Sequence, residues 1–90
     1  MLVLQAHPKV FDSIEALPAK HYKQVVSALF SLLKQPQAND VARLQGFDNL
    51  KRKDVGEYRI VFEHDSTTLY VWAIGKRNDS TVYKILKRKI

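Results

Sequence analysis

Apolar residues recur along this chain with two periods, and the change of period divides it. Leu2–Ala6 is a short apolar strand candidate. Val10, Phe11, Ile14 and Leu17 then follow at helical spacing and make one stripe. Pro8 suits the first turn of that helix, where a missing N–H costs nothing. Pro18 closes it and can open the next, expected from about Ala19 to Gln35. Tyr22, Val25, Val26, Leu29, Leu32 and Leu33 form its buried face, and Lys20, Lys23, Gln24, Ser27 and Lys34 are left for solvent. Pro36 stops it. Two antiparallel helices joined at a proline share an apolar face that needs a sheet to cover it.

From Leu50 the period shortens to two. Leu50–Val55 reads as a strand broken at Gly56, with Lys51 and Lys53 on one face and Arg52 on the other, because strand side chains alternate. In Glu57–Glu63, Tyr58, Ile60 and Phe62 make the face that suits the helices, which leaves Arg59 on the uncovered one. His64-Asp65-Ser66-Thr67 is the turn. In Thr68–Ile74 both alternating sets are apolar, as in a central strand or one covered on its second face by the chain end or a partner. Gly75 ends that strand. Asp79-Ser80 can cap a last short helix from about Thr81, carrying Val82, Ile85 and Leu86 ahead of the basic tail Lys87-Arg88-Lys89. Gln37–Asp40 is a polar loop, and Val41–Gly46 is open between a turn of helix and the approach to a strand. The expected fold is one α+β domain over residues 1–90, ordered β-α-α-β-β-β with a short C-terminal helix. Its helical hairpin packs on one face of a small twisted, mostly antiparallel sheet.

Composition narrows the function classes. With 46% hydrophobic residues, three Gly and three Pro, the 90 residues suit a single packed domain and not a disordered tail. The absence of cysteine removes disulfides, thiolate metal sites and thiol nucleophiles. His7, His21 and His64 are scattered over loop, helix and turn positions and fit surface or capping roles, so neither a metal nor a cofactor is expected. The apolar run at the start is too short for a signal peptide or a membrane span, so a soluble cytoplasmic protein is expected.

The net charge of +6 is placed unevenly. Residues 1–50 carry five Lys/Arg against four Asp/Glu, and 51–90 carry ten against five, so five of the six excess charges fall in the last forty residues. An antiparallel hairpin of Glu57–Glu63 and Thr68–Ile74 brings its outer ends together, and with them Lys51-Arg52-Lys53, Lys76-Arg77 and Arg59. Repelling charges do not gather to hold a fold together. An anionic ligand is the expected occupant, a polyanion such as RNA, DNA or a very acidic protein.

Metal-free RNA cleavage requires deprotonation of the 2′-OH, stabilisation of the in-line phosphorane and protonation of the 5′-oxygen. Lys51 or Lys53 could move a proton if neighbouring cations disfavour its charge, since a free lysine titrates near ~10.4. Arg59 and Arg77 could fork onto phosphate oxygens. Tyr83 offers a ring to stack on a splayed base and a hydroxyl to hydrogen-bond. Arg52, Lys76 and Lys84 are candidate RNA contacts. Plainer readings stand beside these: a solvated edge-strand charge run for 51–53, an ion pair of Arg59 with Glu57 or Glu63, a core position for Tyr83, and packing for Trp72.

In element order, and in four phrases, the chain resembles the RelE/ParE superfamily of bacterial toxin–antitoxin systems. The phrases are Leu50-Lys51-Arg52-Lys53, Gly56-Glu57-Tyr58-Arg59-Ile60-Val61-Phe62-Glu63, Gly75-Lys76-Arg77 and Ser80-Thr81-Val82-Tyr83. RelE-like members are ribosome-dependent endoribonucleases that cut mRNA in the A site, whereas ParE-like members inhibit DNA gyrase and generally lack the catalytic basic set. RelE-type enzymes use lysines on the second strand, an arginine in a third-strand Tyr-Arg phrase, an arginine after the fourth strand and a tyrosine six residues beyond. The resemblance therefore implies catalytic roles for Lys51, Lys53, Arg59, Arg77 and Tyr83. It also implies a cognate antitoxin that covers the site or displaces the terminal helix, mRNA and the 30S subunit as partners, and operator DNA bound through the antitoxin. The loop Asp54–Glu57 is where the chain can depart from the family in length, which leaves open which lysine takes which role. No histidine adjoins Tyr83, which argues against the carboxylate–histidine variant of the chemistry.

Overall fold

Alternation in the strand phrase decides the layering. Tyr58, Ile60 and Phe62 are buried under the helices, while Arg59 and Val61 point to the other side. The computed structural model describes residues 1–77 together with 83, 84 and 86. Its elements are β1 (Val3–Ala6), α1 (Pro8–Glu15), α2 (Ala19–Lys34), β2 (Val41–Arg43), β3 (Lys51–Val55), β4 (Tyr58–His64) and β5 (Thr68–Lys76). The strands form one sheet in the order β1-β5-β4-β3-β2, parallel between β1 and β5 and antiparallel elsewhere. The α+β class and the helical hairpin on one sheet face are as the sequence predicts. The open segment 41–46 contributes one further edge strand, β2, paired to β3.

Pro8 opens α1, and the His7 ring accepts a hydrogen bond from the Lys9 N–H at 3.2 Å, doing the work of a cap. α2 runs to Lys34 and stops short of Pro36. Val10, Ile14, Val25, Leu29, Leu32 and Leu33 meet Ile60, Phe62, Leu69 and Val71 in the main core. Two expected members turn outward instead: Tyr22 is 45% exposed and Phe11 47%, because the sheet covers only the inner part of each helix stripe. Gly75 does not end β5, which pairs through Lys76 with Tyr58.

The open face carries a second, smaller core of Leu44, Leu50, Val61, Ala73 and Leu86, with Phe47, Trp72 and Tyr83 packed against it. Residues 83, 84 and 86 are helical, and Leu86 is fully buried there. The apolar second face of β5 thus has both explanations the sequence offered: the strand is central, and the chain end covers part of it. A register shift in the β4–β5 ladder after Val61 makes room for this, bringing Trp72 and Ala73 to the same core. The expected cap Asp79-Ser80, the helix start at Thr81 and Val82, Ile85, and the tail Lys87-Arg88-Lys89 lie outside the described residues. No helix among the described residues is long and apolar enough to cross a membrane.

Candidate anion site on the open face

β3 and β4 are joined by Gly56 and Glu57 alone, with Val55 paired to Tyr58. Gly56 has φ +57° and among the described residues no non-glycine has positive φ, the pattern of a hairpin turn with glycine at its first central position. So short a turn fixes the register. Asp54 stands opposite Arg59, and Arg52 opposite Val61, all on the face away from the helices. The Arg77 N–H donates to the Glu57 carbonyl at 2.9 Å, which ties the end of β5 to the same turn.

Three guanidiniums therefore converge on one carboxylate. Arg59 donates through Nε to Asp54 Oδ1 at 2.7 Å and through Nη2 to Oδ2 at 3.4 Å. Arg52 Nη1 donates to Oδ2 at 3.0 Å, and Arg77 Nη1 lies 3.9 Å from the same oxygen. The Arg59 side chain is largely buried, that of Arg77 is 45% exposed, and Asp54 is intermediate. The Arg59 hydrogen bond holds the Asp54 carboxyl below the usual carboxylate range; partial burial opposes this, and the fields of Arg59, Arg52 and Arg77 add to it. The same bond raises the Arg59 pKa, and the neighbouring Tyr83 adds in the same direction. Tyr83 is half-buried, its ring stacked at 6.5 Å on Phe47. The cluster keeps two positive charges in excess of its carboxylate, beside a tyrosine that belongs partly to the core and partly to the site.

The lysines do not join it. Lys51 and Lys53 pair across the ladder with Phe62 and Ile60, so they leave β3 on the helix side. Lys53 Nζ binds Asp40 Oδ2 at 2.6 Å, and Lys51 Nζ lies 3.4 Å from His64 Nε2. Lys76, opposite Tyr58, also falls on that side and is exposed. Lys84 is exposed next to Tyr83 in helical backbone. The gathering of all the cations at one place is thus corrected. A strand turns successive residues to opposite faces, so a Lys-Arg-Lys run cannot deliver three charges to one site. The ion pair expected of Arg59 with Glu57 or Glu63 is made with Asp54 instead.

Among solved structures, the chain matches a variant of E. coli toxin RelE with two arginines replaced by alanine, in the free state. The TM-score is 0.78 at 19% identity, over 99% of this chain and 97% of that one. The fold is that of the RelE toxins. The archaeal RelE-RelB complex from Pyrococcus horikoshii matches with a TM-score of 0.72 at 22% identity, over 84% and 94% of the two chains. The toxin-antitoxin complex RelBE2 from Mycobacterium tuberculosis matches at 0.72 and 19%, over 84% and 98%. Neither a protein-family model nor a curated protein matches the sequence. Set on this RelE fold, β3 turns Arg52 and Asp54 toward Arg59, at the strand where the family pattern has lysines. Asp54 is the residue that reading by charge overlooked. Its signal was the Val55-Gly56-Glu57-Tyr58 turn, which puts Asp54 opposite Arg59 by counting alone. Among the described residues no group of His, Cys, Asp and Glu could hold a metal ion.

Proposed function

We propose that this chain is the toxin of a toxin–antitoxin pair and acts as an endoribonuclease on mRNA at the ribosome. The observation that carries the reading is the convergence of Arg52, Arg59 and Arg77, with Tyr83, on the open face of a RelE fold. Arg59 and Arg77 hold the oxygens of the scissile phosphate and the charge that grows on them, a role fixed guanidiniums fill without any step of their own. Tyr83 stacks on the base beside the cut or hydrogen-bonds the leaving oxygen. Asp54 keeps the guanidiniums in place; a carboxylate held ionised by three cations is a weak base. Catalysis here is therefore chiefly electrostatic: as the 2′-OH attacks in line its proton passes to water, the guanidiniums stabilise the phosphorane, and the departing 5′-oxygen takes a proton from the Tyr83 hydroxyl or from water. Lys51 and Lys53 belong to the helix side and take no part.

A cognate antitoxin is the regulating partner, as in the RelE-RelB complexes, where the toxin is held by its antitoxin. An acidic, partly apolar segment suits a face that joins a cationic cluster to a small apolar core. We place the complex on its operator through the antitoxin, and the free toxin in the cytoplasm on the 30S subunit.

Induction of the chain in bacteria, with and without its antitoxin, followed by mapping of mRNA 5′ ends, tests the reading. New ends within translated codons are expected, lost in Arg77→Ala at equal protein level. Full cleavage by a folded Arg77→Ala protein removes that residue from the mechanism. One observation favours a second reading, ParE-like inhibition of DNA gyrase: no lysine stands on the arginine side of β3. Growth arrest without cut ends, together with inhibition of supercoiling by the purified chain, selects it.

A further inference from the structure

The other end of the open face has opposite chemistry. Four residues along β4 from Arg59, roughly 13 Å at ~3.3 Å per residue, Glu63 lies beside an aromatic corner formed by Tyr70 and Trp72. The two ring centroids are 4.8 Å apart and the planes are tilted by 58°. The corner borders a cavity of about 300 Å³ that Gln5, Asp65 and Thr68 also line. Trp72 Nε1 donates to Glu63 Oε2 at 2.6 Å, which fixes the indole and leaves Oε1. Asp65 Oδ1 accepts from the backbone N–H of Thr67 and Thr68 and from the Thr67 hydroxyl, which closes the turn and leaves Oδ2. Among the described residues neither carboxylate has a salt-bridge partner within 4.0 Å. His64 borders the same cavity, but its ring nitrogens face the Asp65 carbonyl and the Lys51 amine.

We propose that this corner is an anchor for one cationic side chain, a guanidinium or an ammonium, supplied by a protein partner. Two aromatic rings line the cavity, where a ring quadrupole attracts a cation, and two carboxylates add full charges at the rim. In a chain of net charge +6 such a spot is not made by composition. The same carboxylates repel a phosphodiester, so a nucleotide is the poorer fit. With the arginine cluster at the opposite end, the face is electrically polar. A protein segment lying across it is ordered: anionic group over Arg52, Arg59 and Arg77, cation against Tyr70 and Trp72.

Trp72 is the only tryptophan in the chain, so its fluorescence reports on this corner alone. The probes are a capped Gly-Arg-Gly peptide and its citrulline counterpart, equal in shape and without charge, titrated at constant ionic strength. The arginine peptide is expected to give a saturable change with a midpoint at least about fivefold below that of the citrulline peptide, a difference of about 1 kcal/mol. The double variant Glu63→Gln, Asp65→Asn keeps both acceptor oxygens and is expected to remove the preference with the circular dichroism unchanged. If that variant does not fold, Tyr70→Leu takes its place with the same expectation. Equal responses to the two peptides, no response, a preference that survives loss of the carboxylates and of the Tyr70 ring, or saturation by guanosine or cytidine in place of the arginine peptide overturns the proposal.

Discussion

Both faces of β3 carry cations, and they use them in opposite ways. On the helix side Lys51 and Lys53 each find a separate local neighbour, His64 and Asp40, and stay apart. On the open side Arg52 joins Arg59 and Arg77, residues brought from β4 and from the end of β5, around a single carboxylate. The difference lies in what stands at the centre. Asp54 shares its two oxygens among three cations, so the repulsion that keeps lysines apart is offset within the cluster, and a surplus of positive charge is held in fixed geometry. A charge run in the sequence is therefore two unrelated half-runs once a strand has formed.

The sharpest break of the comparison is by activity. Arg59→Ala is expected to lower mRNA cleavage by ~10²–10³-fold, the scale for losing one preorganised charge donor, whereas Lys53→Met leaves cleavage at the wild-type rate. Primer extension on a translated message measures both. Equal losses in the two variants would erase the distinction between the faces.

A second test addresses the carboxylate. Asp54→Asn raises the cluster's net charge by one, so RNA binding should tighten at low salt and its logarithmic salt slope should steepen by about 1. Filter binding across a salt series reads this. Stability should move the other way. The Asp54 pKa is depressed on folding, so its contribution is complete above the unfolded value of 3.8 and is lost as pH falls through the lower folded one. The wild-type Tm should therefore drop more steeply than that of Asp54→Asn on acidification below pH 3.8.

The turn that sets the register gives the smallest effect. A side chain at Gly56, with φ +57°, is disfavoured by roughly 1–2 kcal/mol, and its Cβ would meet the end of the Gln24 side chain at 3.2 Å. Gly56→Ala should lose about that much in urea unfolding and loosen the approach of Arg77, whose N–H is held by the Glu57 carbonyl. Unchanged stability would mean that the turn does not fix the cluster.

Much of the fold was legible because its signals are local. Proline positions bound the two helices, and the period-two phrase from Tyr58 to Glu63 assigned its own faces. The parallel pairing of β1 with β5 was not legible, since Val3 and Thr68 are brought together by packing and not by any turn between them. Tyr22 and Phe11 were misassigned to the interior for a related reason. Helical spacing says which residues share a stripe, but the width of the covering sheet says how much of the stripe is buried. Of the residues the structure brings together, Arg59, Arg77 and Tyr83 were already named from the sequence, whereas Asp54 was passed over as one acid among many cations.

The sequence by itself determined the elements, their order and the alternation that turns Arg52 and Arg59 to one side and Lys51 and Lys53 to the other. Only the tertiary structure decided that Arg77 and Tyr83 join Arg52 and Arg59 around Asp54. That outcome depends on a two-residue turn, on a backbone bond from Arg77 to Glu57 and on one carboxylate. The Asp54–Arg59 pair can be counted from the turn, but the distances from Arg77 and Tyr83 to it join atoms far apart in the chain, and no local pattern encodes those.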